Sequence, residues 1–230
     1  MKKQPVIAID GYSSTGKSSI SKIIAQRLGL IHIDTGALYR GVTYYALKNC
    51  KKNDGSIDLN QLFKELENLS LEFSEQNQTL RLTLNGQDIS QEIRKSEIAD
   101  HVSFIAKQPE VRHFLLDTQR RMAKHHGVVM DGRDIGTVVL PNADYKFFLT
   151  ASVEERTKRR HLELLTMGES IDAETVKKNL IERDRIDSQR EIAPLKQADD
   201  AILIDNSLLS KEETIELLLS YLTPPEVVQL

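Results

Sequence analysis

A glycine-rich segment near the beginning of the chain carries a lysine and several hydroxyl groups. Residues 11–18, GYSSTGKS, fit the pattern G-x-x-x-x-G-K-[ST] at every fixed position. Residues 6–10 before it, VIAID, predict a short buried strand, and apolar residues after it recur at helical spacing. A strand, a loop and a helix in this order surround an anion with backbone N–H groups and the positive end of a helix. The pattern therefore predicts a phosphate-binding loop.

The residue types within the loop agree with this function. Gly11 and Gly16 permit a close turn without a Cβ clash. Lys17 places a positive charge on the outer phosphates, and a hydroxyl at Ser18 or Ser19 can serve Mg²⁺ or its waters. A chance glycine–serine turn is the alternative, and the flanking strand and helix disfavour it.

A second stretch whose residue types could bind a ligand or take part in catalysis is DGRD, residues 131–134. It lies directly after the apolar residues 128–130. Asp131 is placed as the second acid of a phosphate-loop enzyme, which holds Mg²⁺ or its waters. Arg133 and Asp134 lie at the carboxyl end of the predicted strand, where ligands bind in an open parallel sheet. A simple Asp-Gly turn is the alternative. Two acids and an arginine within four residues favour a functional site over a simple turn.

Residues 152–190 predict two charged helices around a loop at 167–170. Arginines and acids alternate there, which is typical either of a flap that brings arginines to a phosphoryl group or of a solvent-exposed pair of helices. The spacing of Arg183, Asp187 and Arg190 predicts that they share one helix face.

Hydrophobic periodicity predicts an α/β fold. Five short apolar strands separated by helices indicate a parallel sheet covered on both faces, at residues 6–9, 30–33, 128–130, 146–149 and 201–204. Alternating residues at 69–89 predict a small antiparallel sheet, with a turn at 75–78, as an insertion.

The composition of the 230 residues is ordinary for a soluble globular protein, with 40% hydrophobic and 28% charged residues and a net charge of −3. We therefore expect no nucleic-acid polymer and no membrane as partner, and the default assumption is a monomer. The single cysteine, Cys50, excludes an internal disulfide and a cysteine-built zinc site, which fits a cytoplasmic protein.

Several motifs together resemble those of the bacterial cytidylate kinases, a family of nucleoside monophosphate kinases, over nearly the whole chain. They are the loop at 11–19, IDTGALYR at 33–40, DGRDIGTVV at 131–139, ASVEERTKRR at 151–160, ERDRIDSQREIAPL at 182–195 and Asp205-Asn206. Two loop residues depart from the frequent pattern of that family, since Tyr12 replaces a proline and Ser14 a glycine.

The resemblance implies a P-loop, three-layer α/β/α fold and the ATP-dependent phosphorylation of CMP, and usually dCMP, with Mg²⁺. It also implies one kinase domain in three regions. These are a core at 1–35, 99–151 and 191–230, a monophosphate-binding region with the insert at 36–98, and a mobile lid at 152–190.

The resemblance also assigns site residues. ATP would contact the loop and two lid arginines, namely Gly11, Tyr12, Ser13, Ser14, Thr15, Gly16, Lys17, Ser18, Ser19, Arg156 and Arg160. CMP would contact Ser13, Thr35, Arg40, Ser103, Arg112, Arg133, Asp134, Arg183, Asp187 and Arg190. Mg²⁺ would be served by Ser18, Ser19 or Asp131, and the catalytic candidates are Lys17, Arg133 and Arg183.

Two other functions are compatible with a phosphate loop. One is a kinase of the same fold that acts on another small acceptor, such as UMP, AMP or shikimate. The other is a nucleotide-binding switch or sensor, but a GTPase switch should carry N-K-x-D and D-x-x-G motifs, and the sequence has neither.

Overall fold

The computed structural model describes residues 4–76, 79–124 and 127–222. The strands are β1 (Val6–Gly11), β2 (Ile31–Asp34), β3 (Leu71–Gln76), β4 (Thr79–Leu84), β5 (Gln87–Asp88), β6 (Val128–Gly132), β7 (Tyr145–Thr150) and β8 (Ile202–Asp205). The helices are α1 (Lys17–Leu28), α2 (Thr35–Asn49), α3 (Leu59–Glu65), α4 (Ser96–Ala106), α5 (Pro109–Ala123), α6 (Val153–Thr166), α7 (Ala173–Gln189) and α8 (Lys211–Leu222). Within these described ranges, no helix has the length and apolar character needed to cross a bilayer.

Five strands form a parallel sheet in the order β2-β6-β1-β7-β8. The first strand of the chain is therefore the central one, with Val6 opposite Val128 on one side and Ile7 opposite Tyr145 on the other. The predicted α/β fold is confirmed, and each of the five strands lies within two residues of its predicted bounds.

Apolar side chains of the sheet pack against α1 and α8. Parallel strands with helices against them are buried and therefore consist mainly of apolar residues, as they do here. The buried cluster contains Ile7, Ile9, Val129, Phe147, Leu149 and Ile204 from the strands and Ile20, Ile24, Ala25, Ile215 and Leu218 from the helices. Each large side chain of this kind contributes about 1.5–3 kcal/mol when it is removed from water. This core gives the site residues at the strand ends a rigid base.

The chain divides into two compact units. The first contains residues 1–33, 122–189 and 193–230, and the second contains residues 34–121 and 190–192. In the second unit, α2 packs against α4 and against β4. The predicted insert is confirmed as an antiparallel sheet in the order β3-β4-β5, and residues 77–78 of its predicted first turn lie outside the described residues.

The insert lies very close to α2 at Gly41. A Cβ atom at this position would lie 2.8 Å from a methyl group of Leu71 and 3.2 Å from one of Leu82. Real Cβ atoms essentially never approach to less than 3.0 Å. Any larger residue at position 41 would therefore require the side chains of Leu71 and Leu82 to shift.

The two predicted charged helices are α6 and α7. Their contact is made by a small apolar cluster of Leu164, Val176 and Leu180, with Ile171 against it. Gly168 in the connection has a φ of +82°, which favours glycine. Because α7 ends at Gln189, Arg190 follows the helix, so the prediction that it shares a helix face with Arg183 and Asp187 is wrong.

We expect Gly11→Ala to prevent normal folding of the first unit. Gly11 has a φ of +143°, and a Cβ atom there would lie 1.9 Å from the carbonyl oxygen of Leu149 in the paired strand. The carbonyl oxygen belongs to the backbone and the Cβ atom is attached directly to it, so neither atom can move without a shift of a main-sheet strand. Gly55→Ala is the matched control, since Gly55 has a φ of +85° with nothing within 4 Å of the added atom.

Denaturant unfolding checks this expectation. Gly55→Ala should lose about 1 kcal/mol from backbone strain alone, and Gly11→Ala should lose about 3 kcal/mol or more, or fail to fold. Equal unfolding free energies for the two variants would contradict the close contact at Gly11.

Candidate active site

The phosphate-binding loop lies between β1 and α1, as predicted. Gly16 precedes the helix with a φ of +87°, and no side chain accepts a hydrogen bond in the cap of α1. The N–H groups of a first helical turn have no partner within the helix, and together with the helix dipole they attract anions. The local geometry is therefore suited to a phosphate group.

The two departures from the frequent loop pattern have structural correlates. Ser14 has a φ of +60°, a conformation that glycine adopts without cost and that costs other residues roughly 1–2 kcal/mol. The ring of Tyr12 lies edge-on to Phe148, with centroids 5.8 Å apart, and the guanidinium of Arg156 lies over it at 5.2 Å. Tyr12 thus makes contacts that a proline ring could not make.

Lys17 is buried, and its ammonium group remains on its own loop. Its Nζ donates hydrogen bonds to the carbonyl oxygen of Tyr12 at 2.5 Å and to Oγ1 of Thr15 at 3.4 Å. These contacts hold the charge at the centre of the loop.

Several charged groups surround this lysine. Burial and, next, the positive charge of Arg133 lower the pKa of Lys17 well below its ordinary value, while the carboxylates of Asp131, Asp10 and Asp184 act in the opposite direction. The loop, the 131–134 stretch and α7 therefore interact electrostatically with one another.

The 131–134 stretch lies at the carboxyl end of β6, as predicted. Oδ1 of the buried Asp131 is 2.7 Å from Nε2 of His32. Nε of Arg133 donates to Oδ2 of Asp187 at 3.0 Å. The structure therefore brings together Arg133 and Asp187, two predicted site residues far apart in the sequence.

Asp10 joins the phosphate-loop strand to the segment after Asp134. One of its carboxylate oxygens accepts a hydrogen bond from the N–H of Ile135 at 2.8 Å, and the other accepts one from Gly136 at 2.7 Å. The carboxyl group is fully buried, and this burial raises its pKa to about 7, although the two N–H donors act to lower it.

Asn206 and Arg159 support the loop from outside. The side-chain amide of Asn206 donates to the carbonyl oxygen of Thr15 at 2.9 Å. Nη1 and Nη2 of Arg159 donate to the side-chain and backbone oxygens of Asn206. These contacts fix Thr15, which also receives the hydrogen bond from Lys17.

The predicted acceptor-side residues are divided between the two units. The first unit contains Ser13, Arg133, Asp134, Arg183 and Asp187, and the second contains Thr35, Arg40, Ser103, Arg112 and Arg190.

In the second unit, the start of α2 is organised by Asp34. Its carboxylate accepts a hydrogen bond from the N–H of Ala37 at 3.0 Å and another from Arg40 at 2.8 Å. Asp34 is therefore the N-cap of this helix. The pair orients the guanidinium of Arg40, and Thr35 next to it is buried.

Arg112 is buried and is therefore not a solvated surface charge. Its guanidinium lies 5.5 Å from the ring centre of Tyr39 and donates to the carbonyl oxygen of Ala106 at 3.2 Å. Ser103 on α4 is also buried.

Several residues that shape this site had no role predicted from the sequence, namely Asp10, His32, Arg159, Asp184 and Asn206. Asp10 and Asn206 have one signal in common, since each is a polar residue at the carboxyl end of a strand of the main sheet. Arg159 and Asp184 carry no such signal and were indistinguishable from the other charges of their helices.

A family model for cytidylate kinase matches residues 7–224. The chain belongs to the cytidylate kinase family. It is 50% identical over 210 residues to a cytidylate kinase of Geobacillus sp. (strain WCH70), and the match covers 91% of this chain and 92% of the relative. It is also 44% identical over 223 residues to a cytidylate kinase of Bacillus cereus (strain B4264), with 96% of each chain covered.

A solved structure of an uncharacterized protein from Eubacterium ventriosum matches 95% of this chain and 98% of its own chain, with a TM-score of 0.50 at 13% identity. That likeness concerns the fold alone. Membership of the cytidylate kinase family identifies the chain as an ATP-dependent nucleoside monophosphate kinase, a transferase. The resemblance drawn from the motifs is therefore confirmed.

We expect Asp10→Asn to change how the stability of this kinase depends on pH. The pKa of Asp10 is about 7 in the folded chain and near 3.8 in the unfolded chain, so the folded state binds this proton more tightly. The free energy of unfolding therefore falls as the pH rises through this window, by about 3 kcal/mol between pH 5 and pH 8 on account of Asp10.

Urea unfolding of the wild type and of Asp10→Asn at pH 5, 6, 7 and 8 tests this dependence. The asparagine cannot titrate, so its free energy of unfolding should decline less across the series. Parallel pH curves for the two proteins would show that Asp10 is ionised in both states over this range.

Proposed function

We propose that this member of the cytidylate kinase family transfers the γ-phosphoryl group of ATP to CMP or dCMP and produces ADP with CDP or dCDP. The observation that carries the proposal is the pair of hydrogen bonds by which Asp10, directly before the phosphate loop, holds the N–H groups of Ile135 and Gly136, directly after Asp134. These bonds join a triphosphate-binding loop to a stretch that the resemblance assigns to the acceptor.

ATP would bind with its phosphates on residues 11–19 and at the N-terminus of α1, with Arg156 and Arg160 of α6 on the donor side. The uncapped first turn of α1 and the buried Lys17 support this assignment.

Mg²⁺ would be held by the phosphates together with Asp131 and the hydroxyl of Ser18 or Ser19. The described residues contain no group of three or more His, Cys, Asp or Glu side chains that could hold a metal. This fits Mg²⁺ in kinases, which is bound by one or two protein groups, phosphates and water. When bound, the metal neutralises charge on the transferring group.

The protein's part in the reaction is to hold two polyanions in line. A phosphate oxygen of CMP is already ionised and nucleophilic, so the reaction needs no general base. Lys17, Arg133 and Arg183 would offset the repulsion between donor and acceptor. Asp187 holds Arg133 by a hydrogen bond, which restricts the arginine to one orientation.

The acceptor roles follow the resemblance. The phosphate of CMP would be bound by Arg40, Arg112 and Arg133. Cytosine would be recognised by Ser103, Asp134 and Arg183. The sugar hydroxyls would be bound by Asp187. Ser13, Thr35 and Arg190 would complete the acceptor contacts. The burial of Ser103, Asp134 and Asp187 supports these roles, since buried polar groups are suited to discriminate between ligands.

We further propose the three-region organisation, with residues 152–190 as a lid that closes on the nucleotides and excludes water. The separate apolar cluster between α6 and α7 supports this, because it allows the pair to move as one piece. A cytoplasmic monomer is proposed as its working state.

A panel of acceptors tests the substrate. ADP release would be followed with Mg²⁺–ATP and CMP, dCMP, UMP, AMP or GMP in parallel. We expect rapid turnover with CMP and dCMP, weak turnover with UMP and none with the purine nucleotides. Preference for another acceptor would leave the donor site intact and remove the cytosine roles of Ser103, Asp134 and Arg183.

Arg183→Ala should lose most turnover without unfolding, by about 10³-fold or more, since arginines on a transferring phosphoryl group contribute this much. Arg185→Ala is the matched control on α7, because Arg185 is exposed and pairs with Glu182. Turnover and the circular dichroism spectrum would be measured for both. A folded Arg183→Ala variant as active as Arg185→Ala would contradict the role of Arg183.

A further inference from the structure

The side chain of Arg156 contacts three other parts of the first unit. The guanidinium of Arg156 donates from Nε to the carbonyl oxygen of Ala151 at 3.0 Å and from Nη1 to the carbonyl oxygen of Ser13 at 3.3 Å. Nη1 also contacts Oδ2 of Asp184 on α7 at 2.6 Å. The ring of Tyr12 lies beneath the guanidinium at 5.2 Å.

These contacts act on the phosphate loop itself. The ring of Tyr12 and the carbonyl of Ser13 belong to consecutive loop residues, and the carbonyl of Tyr12 accepts the hydrogen bond from Lys17. Arg156 therefore holds the part of the loop that positions the lysine. The planar guanidinium is suited to this, because it can donate in its plane and stack with its face at once.

Asp184 is the charged partner that holds Arg156 there. The side chains are 4% and 14% exposed, so the pair is largely removed from water. The other oxygen of Asp184, Oδ1, is buried and has no hydrogen-bond partner among the described residues. A half-satisfied buried carboxylate is costly, and a buried ion pair is weak evidence for stability. The arrangement is therefore not one that stability alone would favour.

The charge of Asp184 also reaches Lys17. Its carboxylate is one of three that favour the protonated form of the lysine, together with Asp131 and Asp10. Asp184 thus influences the loop in two ways, through the position of Arg156 and through the charge of Lys17.

We propose that Asp184 is a positioning residue for ATP, which holds Arg156 against the phosphate loop and so keeps the loop in the shape that receives the phosphates. The inference rests on the proposed assignment of residues 11–19 as the ATP site. It predicts a defect on the donor side, because the hydrogen bonds of Arg156 within the described part of the chain go to Ala151, Asp184 and the backbone of Ser13.

Asp184→Asn tests the proposal, since it keeps the size of the side chain and removes its charge. We expect the Kd for ATP, measured by titration calorimetry without acceptor, to rise about 10-fold or more, as for the loss of a buried charge-assisted hydrogen bond. The KM for CMP should stay within about two-fold. A purely structural role would lower the melting temperature and leave the Kd for ATP unchanged at low temperature.

Glu182→Gln is the matched control on the same helix. Glu182 pairs with Arg185 at 2.7 Å, but both side chains are more than half exposed, at 53% and 55%. Its loss should leave the Kd for ATP unchanged. The double variant Arg156→Gln/Asp184→Asn should lose less ATP affinity than the two single losses added together, because both changes remove the same ion pair.

Lys17→Met distinguishes a wrong assignment of the ATP site from a wrong role for Asp184. If Lys17→Met loses ATP affinity while Asp184→Asn binds ATP like Glu182→Gln, the loop assignment stands and the role of Asp184 is overturned. If Lys17→Met binds ATP like the wild type, the loop assignment falls and the proposal falls with it.

Should Asp184→Asn fail to fold, Tyr12→Leu carries the test. It removes the ring beneath Arg156 and leaves the ion pair in place, so the Kd for ATP should rise about three-fold, as for the loss of one cation–π contact. A folded Tyr12→Leu variant with unchanged affinity would overturn the proposal.

Discussion

The carboxylate of Asp10 accepts a backbone hydrogen bond at each of its oxygens, from two consecutive residues on a different part of the chain. Few side chains could replace it, because an amide of the same size would turn a donor toward one of the two N–H groups. The phosphate loop begins at the next residue, and Asp134 directly precedes the two donors. One buried acid thus sets the distance between the donor loop and the residues assigned to the acceptor. The pKa of Asp10 is raised because burial removes the carboxylate from water and so disfavours its charged form.

A kinase must gather positive charge for two polyanions while it remains folded without them. The net charge of this chain is −3, so the attraction has to be local. The described structure achieves this by pairing several site arginines with a nearby acid, namely Arg133 with Asp187, Arg156 with Asp184 and Arg40 with Asp34. The pairs keep the guanidinium groups in fixed orientations and compensate their charge, so little reorganisation is needed when phosphates arrive.

The parts of this molecule that the sequence predicted well are those that depend on local pattern. Apolar runs located the five strands, alternation located the insert, and the fixed spacing of Gly11, Gly16 and Lys17 located the loop. The contacts of Asp10, His32 and Asn206 join residues about 100 or more positions apart, and no local pattern encodes such pairs. Arg190 shows a different limit, since helical spacing cannot tell that α7 ends one residue earlier. The motif resemblance supplied acceptor roles that spacing alone could not separate from surface charge.

The position of β1 at the centre of the sheet has a consequence for synthesis on the ribosome. This strand is synthesised long before its neighbours, since Val6 pairs with Val128 and Ile7 with Tyr145. At typical rates of translation, the interval is on the order of 10 s. During this time an apolar strand has neither of its neighbours, and its open edges can pair with other chains. The main sheet of this enzyme therefore cannot begin to assemble around β1 until β6 and β7 have been synthesised.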